Sequence, residues 1–79
     1  MITVLEQRLV KKNYIEYDNN KLLSYKKRHN PLYQISIERI DNRYKFTFPL
    51  ESGDHYTSYH NNKNELETYA EYIISTYIK

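Results

Sequence analysis

The sequence predicts an α+β protein in which a small antiparallel sheet, a meander of three to five strands, is covered on one face by a C-terminal helix. Two patterns support this fold class. Apolar and polar side chains alternate from Tyr33 to Leu50, which is the period of strands with one buried face. From Leu66 to Tyr77 the apolar side chains recur at helical spacing. With 79 residues the chain has room for a single domain, 1–79, with one thin core.

The strands of the 33–50 segment also predict their own register. Residues 41–42, Asp-Asn, tolerate left-handed backbone angles and suit a two-residue hairpin turn. That turn places Ile37 opposite Phe46 on the apolar face and Glu38 opposite Lys45 on the other face. Two further apolar pairs follow from the same register: Ile35 with Phe48 and Tyr33 with Leu50.

A third strand, 55–60, follows a turn signal at 51–54, and its register depends on the length of the loop. A two-residue turn centred on 52–53 places Thr57 and Tyr59 on the core face. The same turn leaves three side chains on the open face: Tyr56, Ser58 and His60. A three-residue loop would reverse both assignments.

The C-terminal helix is predicted from about residue 64 to residue 78. Asn62 or Asn64 can cap its first turn. One stripe of side chains is expected to cover the sheet: Leu66, Tyr69, Ala70, Ile73 and Tyr77, with Ile74 beside them. The first thirty residues leave alternatives open. Residues 2–10 form either a short helix with a capping box at 3–6 or a strand, and residues 14–25 can form a hairpin around Asn19-Asn20.

The composition excludes several kinds of chemistry. No cysteine is present, so disulfides, zinc–thiolate sites and thiol nucleophiles are ruled out. His55 and His60 lie on opposite faces of a regular strand, so we expect no metal site. We also expect no catalytic residue, no cofactor and no enzymatic activity. Because the start lacks a leader pattern and no apolar run reaches the roughly 18 residues of a membrane span, we expect a soluble cytoplasmic protein.

Charge is distributed unevenly along the chain. Residues 8–29 contain seven basic and two acidic side chains, although the whole chain has a net charge of only +2. The basic set is a candidate binding patch: Arg8, Lys11, Lys12, Lys21, Lys26, Lys27 and Arg28. Tyr14, Tyr17 and Tyr25 are interleaved with these cations. Cations that contact phosphates and aromatic rings that stack on bases are typical of single-strand binding, but an acidic protein surface suits such a patch equally well.

The open face of the predicted sheet is a second candidate surface. We expect it to present Arg43 and Lys45 among polar neighbours, with Tyr56 beside them. A single-layer sheet displays a partner-binding surface on this face, and its edge strand can extend the sheet of a partner.

By its length, its lack of cysteine and its predicted format of a few strands plus a helix, the chain resembles the small proteins of phages and mobile elements that disable host defence nucleases, such as anti-CRISPR proteins. The resemblance implies a stoichiometric inhibitor of a nucleic-acid-handling or defence complex in the host cytoplasm. We therefore expect a non-enzymatic protein-binding module. The alternatives are a nucleic-acid-binding protein that uses segment 8–29 and a homodimeric structural or interaction protein.

Overall fold

A computed structural model describes residues 2–78, which form five strands between two helices. The bounds of the elements are α1 Ile2–Lys11, β1 Tyr14–Glu16, β2 Leu23–Lys27, β3 Asn30–Ile40, β4 Arg43–Pro49, β5 His55–His60 and α2 Lys63–Thr76. The strands pair antiparallel in sequence order, and both helices pack on one face of this sheet. The predicted α+β meander with its C-terminal helix is confirmed. Neither helix in the described part of the chain is long and apolar enough to cross a membrane.

The N-terminal alternatives resolve as a helix followed by a hairpin. Helix α1 buries Leu5 and Leu9, which are one turn apart on a single face. The helix begins at Ile2, so Thr3 lies inside its first turn and does not cap it as the predicted capping box required. Asn13, with φ of 71°, adopts the left-handed conformation that turns the chain out of α1 and into β1.

The β3–β4 register is confirmed. Ile37 lies opposite Phe46 and Glu38 opposite Lys45, and Asp41 adopts a left-handed φ of 56° in the turn between them. The ladder extends from this turn to the pair of Ser36 with Thr47. Beyond it the predicted pairs of Ile35 with Phe48 and of Tyr33 with Leu50 are not part of the ladder, and Leu50 is exposed at the border of the helix side instead of buried in the core.

Of the two alternatives for the β4–β5 connection, the structure has the three-residue loop and not the two-residue turn. Leu50 donates its N–H to the carbonyl oxygen of Asp54 at 2.7 Å, and Gly53 donates to the carbonyl of Leu50 at 3.0 Å. Gly53 has a φ of 94°, the left-handed angle that the third residue of such a loop requires. A glycine can adopt this angle without a side-chain clash, which favours the longer loop.

The longer loop reverses the two faces of β5. Phe46 pairs with Ser58 and Phe48 with Tyr56, so Tyr56 faces the helices. Every second residue of β5 therefore faces the helices: Tyr56, Ser58 and His60. Thr57 and Tyr59 lie on the open face.

Helix α2 is capped by Asn62, whose Oδ1 accepts from the N–H of Asn64 at 2.8 Å and from that of Glu65 at 3.1 Å. Its predicted stripe is buried at four positions: Leu66, Ala70, Ile73 and Ile74. Tyr77 is exposed, contrary to the prediction, because α2 ends at Thr76 and the chain leaves the helical period there. Ile78 occupies the end of the core instead.

The core lies between the helices and the sheet. Helix α1 packs on β1 and β2, α2 packs on β4 and β5, and the helices also contact each other. The central side chains come from every layer, with Leu5, Ile37, Phe46 and Leu66 among those almost completely buried. The opposite face of the sheet has no helix over it in the described residues, so it is called the open face below.

Candidate binding surfaces

The predicted basic segment does not form one surface, because its cations lie on different sides of the fold. On the helical side, Nη2 of Arg8 forms an ion pair of 2.8 Å with Oε1 of Glu71. Nζ of Lys12 donates to the carbonyl oxygen of Ile78 at 2.8 Å. These two cations link α1 to α2 and to the residues that follow α2, which is a structural role.

Three other cations of the segment lie near the corner between α1 and the first hairpin. Lys11 is exposed at the end of α1. Nε of Arg28 donates to Oδ1 of Asn13 at 3.3 Å. Lys27 lies opposite Tyr14 on the helix side of β2, and so points away from the open face.

Two of the three interleaved tyrosines belong to the core. Tyr14 and Tyr25 are both buried beneath α1, so neither ring is free to stack on a base. The hydroxyl of Tyr25 donates to Oε2 of Glu6 at 3.2 Å. Burial, followed by the negative charge and the hydrogen bond of Glu6, raises the pKa of Tyr25 to about 12. Burial also raises the pKa of Tyr14, with a smaller effect from Tyr33.

The open face gathers four of the predicted cations, two from the basic segment and two from β4: Lys21, Lys26, Arg43 and Lys45. Lys45 lies directly opposite Glu38, and Nζ of Lys21 lies 3.7 Å from Oε1 of the same carboxylate. Within residues 2–78, Glu38 is the only carboxylate that the strands place on this face, and Asp18 of the β1–β2 loop lies against Ser24 on the same face. With four cations and these two carboxylates, the open face has an excess of positive charge.

Two tyrosines accompany these cations at opposite sides of the sheet. Tyr59 on β5 is 50% exposed, and its ring centre lies 4.8 Å from the guanidinium carbon of Arg43. Tyr17 follows β1, and its ring centre lies 6.0 Å from Nζ of Lys21. Ile40, which is 40% exposed, adds apolar surface to the same face. Sequence reasoning misses Tyr59 because the shorter turn assigns it to the core.

The helical side of the sheet has an apolar depression of about 570 Å³ between α2 and the β4–β5 loop, which we call the tyrosine groove. Its walls are formed by nine residues: Phe48, Pro49, Leu50, Glu51, Tyr56, Tyr69, Tyr72, Ile73 and Tyr77. Three of the phenols are more than half exposed, with exposed fractions of 52% for Tyr56, 54% for Tyr72 and 57% for Tyr77. Tyr56 thus lies at the groove, and its predicted place on the open face is wrong because the loop is longer.

The rings of the tyrosine groove are held by one another. Tyr72 and Tyr77 meet edge to face with ring centres 5.9 Å apart, and their side-chain hydrogen bond is the main cause that raises the pKa of Tyr72. Tyr56 packs against Phe48 with ring centres 5.6 Å apart. No local pattern in the sequence indicates this groove, because the helical period assigns Tyr77 to the core stripe and the shorter turn assigns Tyr56 to the other face.

The histidines and carboxylates of residues 2–78 are the candidate metal ligands. Among the described residues, no group of three or more histidine or acidic side chains could hold a metal ion. His60 is occupied by protein partners: its Nε2 lies 2.9 Å from Oγ of Ser58, and its Nδ1 lies 3.7 Å from Oε1 of Glu65. His55 is exposed at the start of β5.

Comparisons with known proteins found no matching family model, no matching curated protein and no matching solved structure.

Proposed function

We propose that the protein is a non-enzymatic binding module whose open face docks on an acidic surface of a partner protein. The observation that supports this proposal is the charge segregation of the sheet. Four cations share the open face with Glu38 and with Asp18 of the β1–β2 loop, whereas six other carboxylates lie in α2 or in the two later turns between strands: Asp41, Glu51, Asp54, Glu65, Glu67 and Glu71. A surface with this excess of positive charge attracts an anionic partner and accelerates its association.

The mixture of side chains on the open face favours a protein over a polyanion. Glu38 lies between Lys21 and Lys45, where it would repel a continuous run of phosphates. Ile40 is exposed nearby, and Arg43 stacks on Tyr59. Arginine, tyrosine and apolar side chains interspersed with a few charges are typical of protein–protein interfaces.

A second candidate, binding to single-stranded nucleic acid, is supported by the two tyrosine–cation pairs. Arg43 with Tyr59 and Lys21 with Tyr17 each combine a phosphate-binding group with an aromatic ring. Such combinations hold single strands through phosphate contacts and base stacking. This candidate rests on the open face alone, because the cations of segment 8–29 are divided between two sides of the fold.

A more specific form of the proposal is a stoichiometric inhibitor of a nucleic-acid-handling or defence complex in a host cytoplasm. It rests on the resemblance in size and format to the small inhibitors of phages and mobile elements. In that form the open face would cover an acidic surface of the host complex and block its function sterically.

The test is a comparison of two double variants that each remove two positive charges. Arg43→Ala with Lys45→Ala alters the open face, and Lys11→Ala with Lys63→Ala removes exposed cations from the helices. Immobilised proteins would be used to capture partners from a bacterial lysate at two salt concentrations. We expect the wild type and the helix variant to capture the same protein and the open-face variant to fail to capture it. Higher salt should weaken this capture.

Binding to random single-stranded DNA, measured by fluorescence anisotropy, decides between the two candidates. Micromolar binding at physiological salt that the open-face variant abolishes would replace the protein partner with nucleic acid. In that case the slope of log affinity against log salt should flatten by about 0.7 for each phosphate that the variant no longer neutralises. Equal capture by both double variants would contradict the assignment of the open face.

A further inference from the structure

The strand at one edge of the sheet is unprotected. β5 contains six residues, His55–His60, with no lysine, arginine, carboxylate or proline, and it pairs with β4 in unbroken register. The other edge strand, β1, contains only three residues. Proteins usually block exposed edges with charges, prolines, bulges or very short strands, because a free edge is a template for pairing with another chain.

The hydrogen-bond pattern identifies which backbone groups of β5 are available. Leu50 donates to the carbonyl of Asp54, so Asp54 directs its backbone groups toward β4. In an antiparallel ladder the direction alternates, so Tyr56, Ser58 and His60 also bond toward β4. Three residues therefore point their N–H and C=O groups outward from the free edge, in the plane of the sheet: His55, Thr57 and Tyr59.

We propose that this edge pairs with β5 of a second copy of the chain, about a twofold axis at Thr57, and joins two sheets into one antiparallel sheet. This register places Thr57 opposite Thr57 of the second copy and His55 opposite its Tyr59, both on the open face. On the helix side Tyr56 lies opposite Ser58 of the second copy. Pairs of threonines and pairs of two aromatic rings, here Thr57 with Thr57 and His55 with Tyr59, are favourable cross-strand neighbours.

The same register brings no like charges together. At each end of the paired strands Asp54 lies opposite His60 of the second copy, so the carboxylate does not meet another acidic side chain. No like charges meet along the strand, because β5 itself contains neither lysine, arginine nor a carboxylate. A twofold axis requires a surface that is complementary to itself, and this strand satisfies that requirement.

The tyrosine groove supplies the additional area that a stable dimer needs. A typical specific interface buries about 800 Å² on each partner, which is more than a strand edge of six residues provides. The groove borders the edge through Tyr56, and the ring of Tyr69 on α2 lies 5.1 Å from that of His60. In the twofold arrangement both α2 helices lie on the same side of the joined sheet. The exposed rings of Tyr56 and Tyr72 from each copy then cover the seam.

A second copy fits this surface better than an extended peptide does. A peptide would satisfy the edge but would leave the exposed flank of α2 uncovered. A copy of the chain brings its own helix and its own tyrosines to the same flank. The dimer also doubles the area of the open face, because the cations of both copies then lie on one continuous sheet. The association of the two copies does not depend on what the open face binds.

The test is the mass of the protein in solution by sedimentation equilibrium. We expect the wild type, whose chain mass is 9.7 kDa, to sediment at twice that mass. Thr57→Pro should give a monomer, since it removes an N–H that points outward and leaves the β4–β5 ladder intact. Thr57→Val is the matched control and should remain a dimer. Like proline, valine has no hydroxyl to meet Oγ1 of Thr47, which lies 3.2 Å from Oγ1 of Thr57, but it keeps the N–H.

A second variant guards against misfolding of the proline substitution. Thr57→Lys places two lysines opposite each other on the axis, so it should raise the dissociation constant at least about tenfold, an effect that salt reduces. Circular dichroism would confirm that each variant is folded. A wild type that remains monomeric up to about 1 mM would overturn the proposal. The proposal would also be overturned if Thr57→Lys, and Thr57→Pro where it folds, remained dimers.

Discussion

At the scale of single residues, tyrosine has different roles at different positions of this chain. Ten tyrosines supply most of its aromatic side chains. Tyr14 and Tyr25 are core residues, whereas Tyr72 and Tyr77 project from the end of α2. A tyrosine can be buried along its ring while its hydroxyl finds a polar partner, as Tyr25 does with Glu6. The number of tyrosines in a sequence therefore does not indicate how many are available for binding.

The raised pKa of Tyr25 leads to a prediction about alkaline stability. Because its folded pKa is about 12 and lies above the ordinary value of 10.0, the fold favours the neutral phenol. That stabilisation is complete below pH 10 and is lost as the pH rises from 10 toward 12. We expect the free energy of unfolding, measured by urea titration, to fall over this range, and to fall less steeply in Tyr25→Phe.

The same substitution should cost about 0.5–1.5 kcal/mol at neutral pH, because it removes the hydrogen bond to Glu6. Tyr59→Phe is a control that removes one phenol from the exposed open face. If Tyr25→Phe and the wild type lost stability with the same slope above about pH 10, the assignment of this effect to Tyr25 would be wrong.

At the scale of elements, the residues at the ends of helices and strands decide where each element begins and how it pairs. The β3–β4 hairpin follows the two-residue turn at 41–42, so its register is readable from the alternation on either side. The β4–β5 hairpin has the three-residue loop that ends at Gly53. One additional loop residue moves every side chain of β5 to the opposite face, which is why the shorter turn places Tyr56 wrongly.

The cap of α2 gives a prediction at this scale. Asn62 accepts hydrogen bonds from two N–H groups of the first turn, which otherwise have no partner within the helix. We expect Asn62→Ala to lower the free energy of unfolding by about 1 kcal/mol, measured by urea titration monitored by circular dichroism. Asn61→Ala, an exposed neighbour outside the cap, is the matched control and should change stability by less than about 0.5 kcal/mol. Equal losses in the two variants would contradict the capping role.

At the scale of the whole molecule, both helices and the strands of the sheet share one continuous core. Leu5 from α1, Phe46 from β4 and Leu66 from α2 are all members of the same buried cluster. A core this small leaves no element with enough buried area to remain folded alone. We therefore expect the chain to unfold as one cooperative unit.

A substitution at the centre of the core tests this expectation. Phe46→Ala should cost about 3–5 kcal/mol, because it removes a completely buried ring that contacts Phe48 and Tyr69. That loss is a large share of the roughly 5–15 kcal/mol that stabilises a typical domain. Hydrogen exchange should show the amides of α1 and β5 losing protection together. Protection that persists in α1 while β5 exchanges freely would contradict a single cooperative unit.

Elements whose signals are local could be predicted from the amino-acid sequence. Alternation at 33–50, the turn at 41–42, the cap at Asn62 and the stripe from Leu66 to Ile74 depend on residues that are near one another in the chain. Strand and helix periods are set by backbone geometry, so they are visible before any tertiary contact forms.

Which side chains share a surface depends instead on how the strands pair and how the helices dock. Lys26 and Lys27 are neighbours in sequence but lie on opposite faces of β2, whereas Lys26 and Lys45 share the open face because β2 and β4 both flank β3. Arg8 does not contribute to a basic patch because it pairs with Glu71, which is 63 residues away in the chain. The tyrosine groove forms where the end of α2 meets the β4–β5 loop. These outcomes depend on strand register and helix docking, which bring distant residues together and which no local period specifies.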